Sequence, residues 1–159
     1  MGNAIRYTTA ALYEIFKGEK TFARIITENK DGQIHEYEDE FCVIIANNIV
    51  TAAKGMKMAP DAKLNDGLID LLMVKSSSTV DLISIFRKVY DGTHVDLPYV
   101  KYEQVRAFSI TPFKKQNHDQ IESESDPEIA EELIDVDGEL KGLTPFKCRV
   151  IQQAIRIIV

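Results

Sequence analysis

Two acidic turns contain the residues whose types and spacing are best suited to chemistry. Asp66 lies in an Asn-Asp-Gly turn directly before the apolar run at residues 68–74, and Asp137 and Glu139 flank a glycine between two short apolar segments. A tight turn holds carboxylates clear of a sheet, where they can bind metal ions that neutralise phosphate charge or can orient a nucleophile. Asp-Gly turns also occur for structural reasons alone, because Asp and Asn cap their own backbone. The residue types by themselves leave both interpretations open.

The other reactive residue types form no catalytic or metal-binding pattern. His94 follows a predicted helix, where a lone histidine is usually a core or helix-capping residue, and His35 and His118 have no evident partners. The sequence contains no Ser-His-Asp or Cys-His arrangement, no zinc-ligand spacing, no P-loop and no G-x-G-x-x-G motif. Asp70, inside the apolar run, is predicted to be an ordinary exposed acid.

Composition predicts one globular domain that does not bind nucleic acid. The 159 residues can form one domain with a core but not two ordinary ones. The net charge of −6 indicates that the chain as a whole does not bind nucleic acid, because phosphate backbones need a basic surface. Cys42 and Cys148 have no C-x-x-C spacing. A structural pair is one alternative, and the prediction is two buried free thiols in a reducing compartment, which indicates the cytoplasm. No apolar run approaches the ~20 residues of a membrane span, and the first residues are not expected to be a signal peptide.

Two segments have helical periodicity. Residues 7–17 repeat apolar side chains at helical spacing and stop at Gly18. A second helix is predicted from Val80 to Gly92, after a Ser-Ser-Ser-Thr cluster at residues 76–79 that can cap its first turn.

The remaining apolar segments are typical of strands. Strands are predicted at residues 22–26, 34–37, 41–46, 68–74, 99–110 (as one or two strands), 133–140 (as two short strands around a turn) and 147–159 (as a closing pair). Residues 29–32 form the first hairpin turn, residues 38–40 a charged link, residues 47–65 a long loop and residues 114–132 an acidic mobile insertion. Because the two helices do not alternate with the strands, a doubly wound sheet is not expected. The fold class predicted is mostly β (α+β), an antiparallel β-sandwich with two flanking helices in a single domain.

Several short motifs follow one another along the chain. They are Gly2-x-x-x-Arg6-Tyr7, Asn47-Asn48, Gly55-Met56-x-Met58-Ala59-Pro60-x-Ala62-x-Leu64-x-Asp66-Gly67-Leu68-x-Asp70, Gly92-x-His94-x-x-x-Pro98-Tyr99-Val100, Val105-Arg106-Ala107-Phe108 and Asp137-Gly138-Glu139. In this order they resemble the C-terminal domain of the sphingosine kinase and diacylglycerol kinase superfamily. The motifs at residues 94–100 and 105–108 are most similar to the sphingosine kinases. The resemblance covers nearly the whole chain except residues 114–132.

The chain departs from that superfamily in one large respect. Members of the family carry a Gly-Gly-Asp-Gly-Thr phosphate loop and the catalytic base in a nucleotide-binding domain that precedes this one, and no such loop occurs here. The resemblance therefore implies that this chain is the second half of a kinase whose N-terminal nucleotide-binding domain is missing, and that it is inactive alone.

The resemblance assigns the nucleotide end of the site. It implies that Glu139, with Asp137 near it, faces the nucleotide as the catalytic carboxylate pair. It also implies that Arg6 reaches the phosphates of ATP, a task for which a guanidinium fork is suited because it donates two parallel hydrogen bonds. On its own, Arg6 would be a solvated surface charge.

The resemblance also implies a magnesium site and a lipid pocket. One carboxylate at Asp66 and the backbone carbonyls of Lys63 and Leu68 would resemble the structural Mg²⁺ site of bacterial members. The lipid pocket would be lined by Ile69, Phe86, Val89 and His94. Phe86 and Val89 are three residues apart on the predicted helix and share one face, and that face could equally be part of the hydrophobic core.

The function expected from the resemblance is that of half an ATP-dependent lipid kinase. With Mg²⁺, the whole enzyme would phosphorylate a primary hydroxyl of sphingosine or a related long-chain base. The alternatives are half of a diacylglycerol kinase, a non-catalytic β-sandwich module that binds lipid or protein, and a relative of the NAD kinases. Peripheral contact with a membrane and a homodimer are both compatible with the sequence.

Overall fold

The computed structural model describes residues 20–52, 55–114 and 127–154. The predicted helix at residues 7–17, Arg6 and the apolar residues 155–159 lie outside the described residues. Within them the elements are β1 (Thr21–Asn29), β2 (Ile34–Asn47), β3 (Ile69–Lys75), helix α1 (Thr79–Lys88), a short 3₁₀ helix (Thr93–Asp96), β4 (Val100–Phe113), β5 (Leu133–Val136), β6 (Glu139–Leu143) and β7 (Phe146–Arg149).

Strands β1 to β4 form a closed ring of antiparallel pairs. β1 pairs with β2, β2 with β3, β3 with β4, and β4 also pairs with β1, so that Ile25 is opposite both Tyr37 and Ile110. β4 is one strand of 14 residues, long enough to pair with β3, β1 and β7 at different positions. The structure confirms the predicted mostly β, antiparallel, sandwich-like class.

The charged link predicted at residues 38–40 is wrong, because β2 continues through it. β1 supplies hydrogen-bond partners along this whole stretch, with Arg24 opposite Glu38. The Arg24 guanidinium lies 3.0 Å from a Glu36 carboxylate oxygen and 3.3 Å from one of Glu38. A cation on the neighbouring strand thus allows acidic residues to occupy the outer face of a strand.

Two apolar clusters lie on opposite faces of the ring strands. The inner cluster is built from buried residues of all four strands: Ala23, Ile25, Phe41, Leu71, Met73, Val105, Phe108 and Ile110. The outer cluster contains Leu72, Val74 and Val100, with half-buried apolar side chains packed against them. Because side chains alternate along β3, one apolar run supplies both clusters, as a strand buried on both faces must.

Helix α1 covers the outer cluster. Ser78 caps its first turn in a capping box: the Ser78 hydroxyl accepts from the backbone N–H of Asp81, whose carboxylate accepts from the N–H of Ser78 at 3.1 Å. Leu82 and Ile85 pack against the outer cluster. The predicted capping cluster and the second predicted helix are therefore confirmed, but the helix ends at Lys88 and not at Gly92. No helix in the described ranges has the length and apolar character that crossing a bilayer requires.

Strands β5 and β6 form a separate two-stranded hairpin. The hairpin is joined at its base by Thr144, whose N–H donates to the Glu132 carbonyl at 2.9 Å and whose hydroxyl accepts from the Glu132 N–H at 2.8 Å. The two short strands predicted around a turn at residues 133–140 are confirmed. β7 is one strand of the predicted closing pair, and the other would fall on residues 155–159.

The predicted acidic insertion is attached at both ends. The N–H of Lys114 donates to the Glu128 carbonyl at 2.8 Å, and the N–H of Ala130 donates to the Pro112 carbonyl at 2.9 Å. Residues 115–126, the centre of this segment, lie outside the described residues.

Both cysteines are free, as predicted, but they are half-buried rather than buried. Burial raises the pKa of the Cys42 thiol and of the Cys148 thiol. They are therefore mostly protonated near neutral pH, which makes them poor nucleophiles.

Candidate functional site

Asp137 and Glu139 lie at the exposed tip of the β5–β6 hairpin. Asp137 has a φ of 55° and Gly138 a φ of 85°, and the Gly138 N–H donates to the Asp135 carboxylate at 2.8 Å. The Glu139 side chain is 69% exposed and pairs with the Lys141 ammonium at 2.8 Å. An ion pair as exposed as this holds its partners weakly. The Glu139 carboxylate is therefore available to another ligand.

The turn around Asp66 is stabilised by its own side chain. One carboxylate oxygen of Asp66 accepts from the Leu68 N–H at 2.9 Å, and Gly67 has a φ of 76°. Lys63 is exposed, and Leu68 is buried. One carboxylate oxygen of Asp66 is therefore occupied by a hydrogen bond within the turn, and the second oxygen could contact a ligand.

Asp70 is buried, so its prediction as an exposed acid is wrong. Its side chain is 1% exposed. One of its oxygens accepts from the Tyr102 hydroxyl and, at 3.1 Å, from the Gln104 amide. The same amide donates to the Asp61 carbonyl at 3.2 Å, and the Asp61 N–H donates to the Tyr102 oxygen at 3.2 Å. Burial raises the pKa of Asp70. The hydrogen bonds from Tyr102 and Gln104 lower it by less, and the charges of Asp66 and Asp61 raise it further.

The Asp70 network ties the loop at residues 57–67 to the sheet, and sequence reasoning missed it. The alternation of side chains along β3 could have revealed it. Asp70 lies on the same face of β3 as Leu72 and Val74, which belong to the outer cluster. An acid on the apolar face of a strand must be buried with partners, because an unpaired buried charge is too costly.

The same loop contacts the C-terminal end of helix α1. The Lys57 N–H donates to the Val89 carbonyl at 2.8 Å. Gly92 has a φ of 89°, and a Cβ there would lie 3.1 Å from the Cβ of Pro60. Loop 57–67 therefore joins the helix end to the Asp66 turn and the buried Asp70.

The predicted lipid-pocket residues fall on two sides of β3. Val89 and His94 are buried beside the helix end, and Phe86 is half-buried with its ring edge-on to that of Tyr90, 5.9 Å between centroids. Ile69 packs against the inner cluster, on the face of β3 that points away from the helix. The structure therefore groups three of the four residues and separates the fourth.

His94 is fully buried without a hydrogen bond to either ring nitrogen from the described part of the chain. Burial lowers the pKa of His94. The Met58 backbone and the negative charges of Asp91 and Asp96 raise it, but by less than burial lowers it. Its imidazole is therefore neutral near neutral pH and more tolerant of apolar neighbours than an imidazolium would be.

We expect His94 to make the fold less stable in mild acid. Because its pKa is lower in the folded than in the unfolded protein, the unfolded state binds the proton first as the pH falls below about 6.5. The free energy of unfolding, measured by urea denaturation at pH 7 and at pH 5, should fall for the wild type and fall less for His94→Leu. His35→Leu removes the other described histidine, an exposed one whose Nδ1 lies 2.6 Å from a Glu103 carboxylate oxygen, so it should leave the fall at least as large as in the wild type. An equal fall in the wild type and in His94→Leu would contradict this assignment.

A groove of about 280 Å³ lies elsewhere, on the strands β1, β4 and β7. Its lining includes Ile26, Ile34, Ser109, Lys147 and Arg149. None of the four predicted lipid-pocket residues lines it.

The comparison with protein families identifies the class of domain. The whole chain, residues 1–159, matches the family described as the YegS C-terminal NAD kinase beta sandwich-like domain. The chain belongs to this family of lipid kinase C-terminal domains. The predicted superfamily is thereby confirmed.

Individual relatives include both kinds of lipid kinase. The chain is 34% identical over 123 residues to sphingosine kinase 1 of Arabidopsis thaliana, covering 76% of this chain and 23% of that protein. It is 25% identical over 127 residues to a diacylglycerol kinase of Staphylococcus carnosus, covering 80% of this chain and 36% of that protein. The chain thus spans between about a quarter and just over a third of the length of these relatives.

Solved structures share the fold. The chain aligns with the crystal structure of a diacylglycerol kinase from Bacillus anthracis str. Sterne at a TM-score of 0.54 and 18% identity, covering 89% of this chain and 43% of that one. This similarity supports the architecture of the domain and says nothing about its substrate.

Proposed function

We propose that this chain is the acceptor-binding half of a lipid kinase that phosphorylates sphingosine or a related long-chain base. The observation that carries the proposal is the whole-chain family match together with the 34% identity to a plant sphingosine kinase. A nucleotide-binding domain outside these 159 residues would hold ATP and supply the catalytic base. Such a division agrees with the small share of each relative that the chain spans.

The reaction transfers the γ-phosphoryl group of ATP to a primary hydroxyl of the lipid. The bond from the γ-phosphorus to the β–γ bridging oxygen breaks, a bond to the lipid oxygen forms, and the hydroxyl proton passes to a carboxylate of the other domain. Such transfers depend on positioning and on neutralising charge around the phosphates. In this chain Arg6 would offset phosphate charge directly, and Glu139, with Asp137 beside it, would hold metal ions or orient the nucleophile.

The residues around the Asp66 turn fit a magnesium ion only as a partly hydrated site. One Asp66 oxygen is used by the Leu68 N–H, so the chain offers one further carboxylate oxygen and the carbonyls of Lys63 and Leu68. No group of three His, Cys, Asp or Glu side chains in the described ranges could hold a metal. Mg²⁺ accepts such sites because it keeps several waters. When bound, it would stabilise the turn and offset the negative charge of Asp61, Asp66 and Asp70.

The lipid end of the site is proposed beside the helix end, around Phe86, Val89 and His94. Their burial and apolar neighbours suit an alkyl chain, each buried methylene of which contributes about 0.8 kcal/mol. A contribution from Ile69 requires that the chain of the lipid also reach the inner face of β3.

A kinase assay on two proteins tests the proposal. The full-length protein that contains this domain and the isolated 159-residue chain are incubated with labelled ATP, Mg²⁺ and either sphingosine or diacylglycerol. We expect transfer to sphingosine by the full-length protein and no measurable transfer by the isolated chain.

Each other outcome has a definite meaning. Preference for diacylglycerol would support the alternative that the chain is half of a diacylglycerol kinase, which the bacterial relatives favour. A folded full-length protein that phosphorylates neither lipid would overturn the proposal. Robust turnover by the isolated chain would overturn the division of the active site between two domains.

A further inference from the structure

The β5–β6 hairpin carries three leucines on one of its faces. Leu133 is opposite Leu143, and Asp135 is opposite Leu140. Residues directly opposite each other in an antiparallel pair share a face, as do residues two apart on one strand. These four side chains therefore lie on one face, which we call the leucine face. Gly142, with a φ of 85°, is the extra residue of β6 that keeps Leu140 and Leu143 on the same face.

The opposite face carries the candidate catalytic carboxylate. Val136 is opposite Glu139, and each is the sequence neighbour of a residue on the leucine face. The ion pair of Glu139 with Lys141 agrees with this assignment, because residues two apart on one strand point the same way. Ile134, the one half-buried residue of the two strands, also lies on this face. The leucine face is therefore the side of the ribbon that is open to solvent.

The leucine face has the exposure of an interaction surface. Leu133, Leu140 and Leu143 are 66%, 68% and 47% exposed. Exposed apolar residues scattered singly are normal, whereas three on one face of a ribbon form a patch. The ribbon is attached to its domain at its base, through Thr144 and Glu132, and a two-stranded ribbon is marginally stable alone. A surface that covers the leucines would therefore also stabilise the hairpin.

The charges around the leucine face are negative. The acids of residues 127–143 are Glu128, Glu131, Glu132, Asp135, Asp137 and Glu139, and the one basic residue is Lys141. Asp135 lies among the leucines, and its carboxylate accepts from the Gly138 N–H at 2.8 Å without pairing with a cation of the described ranges. Anionic phospholipids attract basic segments, so they repel this one. The complementary surface is therefore apolar and positively charged.

We propose that the leucine face docks on the bilayer that presents a long-chain base, and that Asp135 favours surfaces rich in this cationic lipid over surfaces of anionic phospholipid. The inference rests on the proposed function, from which it takes the class of substrate. A long-chain base has an alkyl chain, which anchors it in the bilayer, and an amine that is protonated near neutral pH. A bilayer enriched in it is apolar inside and positive at its surface, which complements the leucines and the acid among them.

Docking by the leucine face leaves the candidate site open. Glu139 lies on the other face of the same ribbon, so a bilayer against the leucines does not cover it. The hairpin would then hold this carboxylate beside the surface that supplies the acceptor. A second copy of the chain is a poorer occupant, because a two-fold contact between leucine faces would bring two Asp135 carboxylates into one apolar contact.

Vesicle sedimentation of the full-length kinase without ATP tests the proposal. The vesicles contain phosphatidylcholine alone, with phosphatidylserine, or with a two-chain trimethylammonium lipid, which is positively charged and has no hydroxyl to phosphorylate. Leu143→Asn and Val136→Asn are the matched pair, because they replace side chains of nearly equal exposure, 47% and 45%, on opposite faces of the hairpin. Leu140→Asn is a second variant on the leucine face, and urea denaturation checks that each variant is folded.

We expect the wild type to bind the cationic vesicles most tightly and the phosphatidylserine vesicles most weakly. Leu143→Asn and Leu140→Asn should each weaken binding to cationic vesicles by about five- to thirtyfold, because a leucine no longer leaves water on docking. Val136→Asn should stay within about twofold of the wild type. Equal losses for Leu143→Asn and Val136→Asn would overturn the proposal, as would a wild type that binds none of the vesicles.

Asp135→Asn tests the charge preference separately. It keeps the oxygen that accepts from the Gly138 N–H and removes the negative charge. The ratio of affinities for cationic over phosphatidylserine vesicles should fall by about fivefold or more. Asp31→Asn, which changes an exposed acid in the first hairpin turn, should leave that ratio unchanged. An unchanged ratio in Asp135→Asn, or a wild type that prefers phosphatidylserine vesicles, would overturn the proposal.

A second copy of the chain has its own signature. Self-association of the full-length protein that Leu140→Asn abolishes, measured by sedimentation velocity without vesicles, would mean that a second copy covers the leucine face. That result would overturn the proposal.

The same proteins separate this proposal from the proposed function. Phosphorylation of sphingosine delivered on serum albumin, without leucine-dependent vesicle binding, would leave the function standing and remove the docking surface. Leucine-dependent binding to cationic vesicles, without transfer to sphingosine or diacylglycerol, would support the docking surface and remove the function.

Discussion

Replacing Glu139 by glutamine in the full-length kinase should lower kcat by about 30- to 1,000-fold, or about 2–4 kcal/mol of transition-state stabilisation. Glutamine keeps the size of the side chain and removes its charge, so the change tests the carboxylate itself. The fold should be unaffected, because Glu139 is exposed and its ion pair with Lys141 lies at the surface. The measurement is steady-state kinetics with sphingosine, ATP and Mg²⁺.

Lys141→Gln is the matched control. It breaks the same ion pair and leaves the Glu139 carboxylate in place. We expect kcat to stay within about fivefold of the wild type, since exposed pairs contribute at most about 1 kcal/mol. If Glu139→Gln kept the wild-type kcat, or if Lys141→Gln lost as much, the carboxylate would have no role in phosphoryl transfer.

Replacing Asp70 by alanine should lower the free energy of unfolding by about 1–3 kcal/mol. The change leaves the Tyr102 hydroxyl and the Gln104 amide without the acceptor that both use. Asp70→Asn keeps an oxygen at that position and removes the charge whose burial is unfavourable, so it should cost less than Asp70→Ala. Urea denaturation of the isolated chain provides the free energies.

Asp31→Ala provides the baseline for that series. Asp31 is an exposed acid in the first hairpin turn, and its loss should change stability by no more than about 0.5 kcal/mol. An Asp70→Ala variant as stable as Asp31→Ala would show that the buried network does not hold loop 57–67 against the sheet.

The elements that the sequence predicted well are those with strong local signals. The turn at residues 29–32 ends at Gly32, with a φ of 78°. Ser78, within the predicted capping cluster, caps the helix, and the structure adds a capping box with Asp81. The turn at Asp137 and Gly138 also has the positive φ values that its residues favour. In each case the conformation is decided by neighbours a few residues apart, which a sequence displays directly.

The errors concern features that depend on distant partners. Residues 38–40 form part of a strand because Arg24, on the neighbouring strand, pairs with Glu38. Asp70 is buried because Tyr102 and Gln104, more than thirty residues later, supply its hydrogen bonds. Neither partner is visible from the local period of the sequence.

The candidate site was predicted in pieces rather than as an arrangement. Residue types and the family resemblance predict Glu139 at a tight turn and His94 after a helix, and both positions agree with the structure. Ile69 was grouped with Phe86 although strand alternation points it to the other face of β3. The functional roles of all these residues stay predictions until the kinetics above are measured.

The closed ring of β1 to β4 has a consequence for how the protein folds during synthesis. The ring is completed by pairs such as Phe22 with Phe113, which join segments some ninety residues apart. Until β4 has left the ribosome, one edge of β1 has no strand to pair with, and nascent chains are exposed to association through that edge. Contacts this distant along the chain also slow folding relative to helical domains of similar size. Pairing along that edge of β1 should therefore be complete only once residue 113 has emerged.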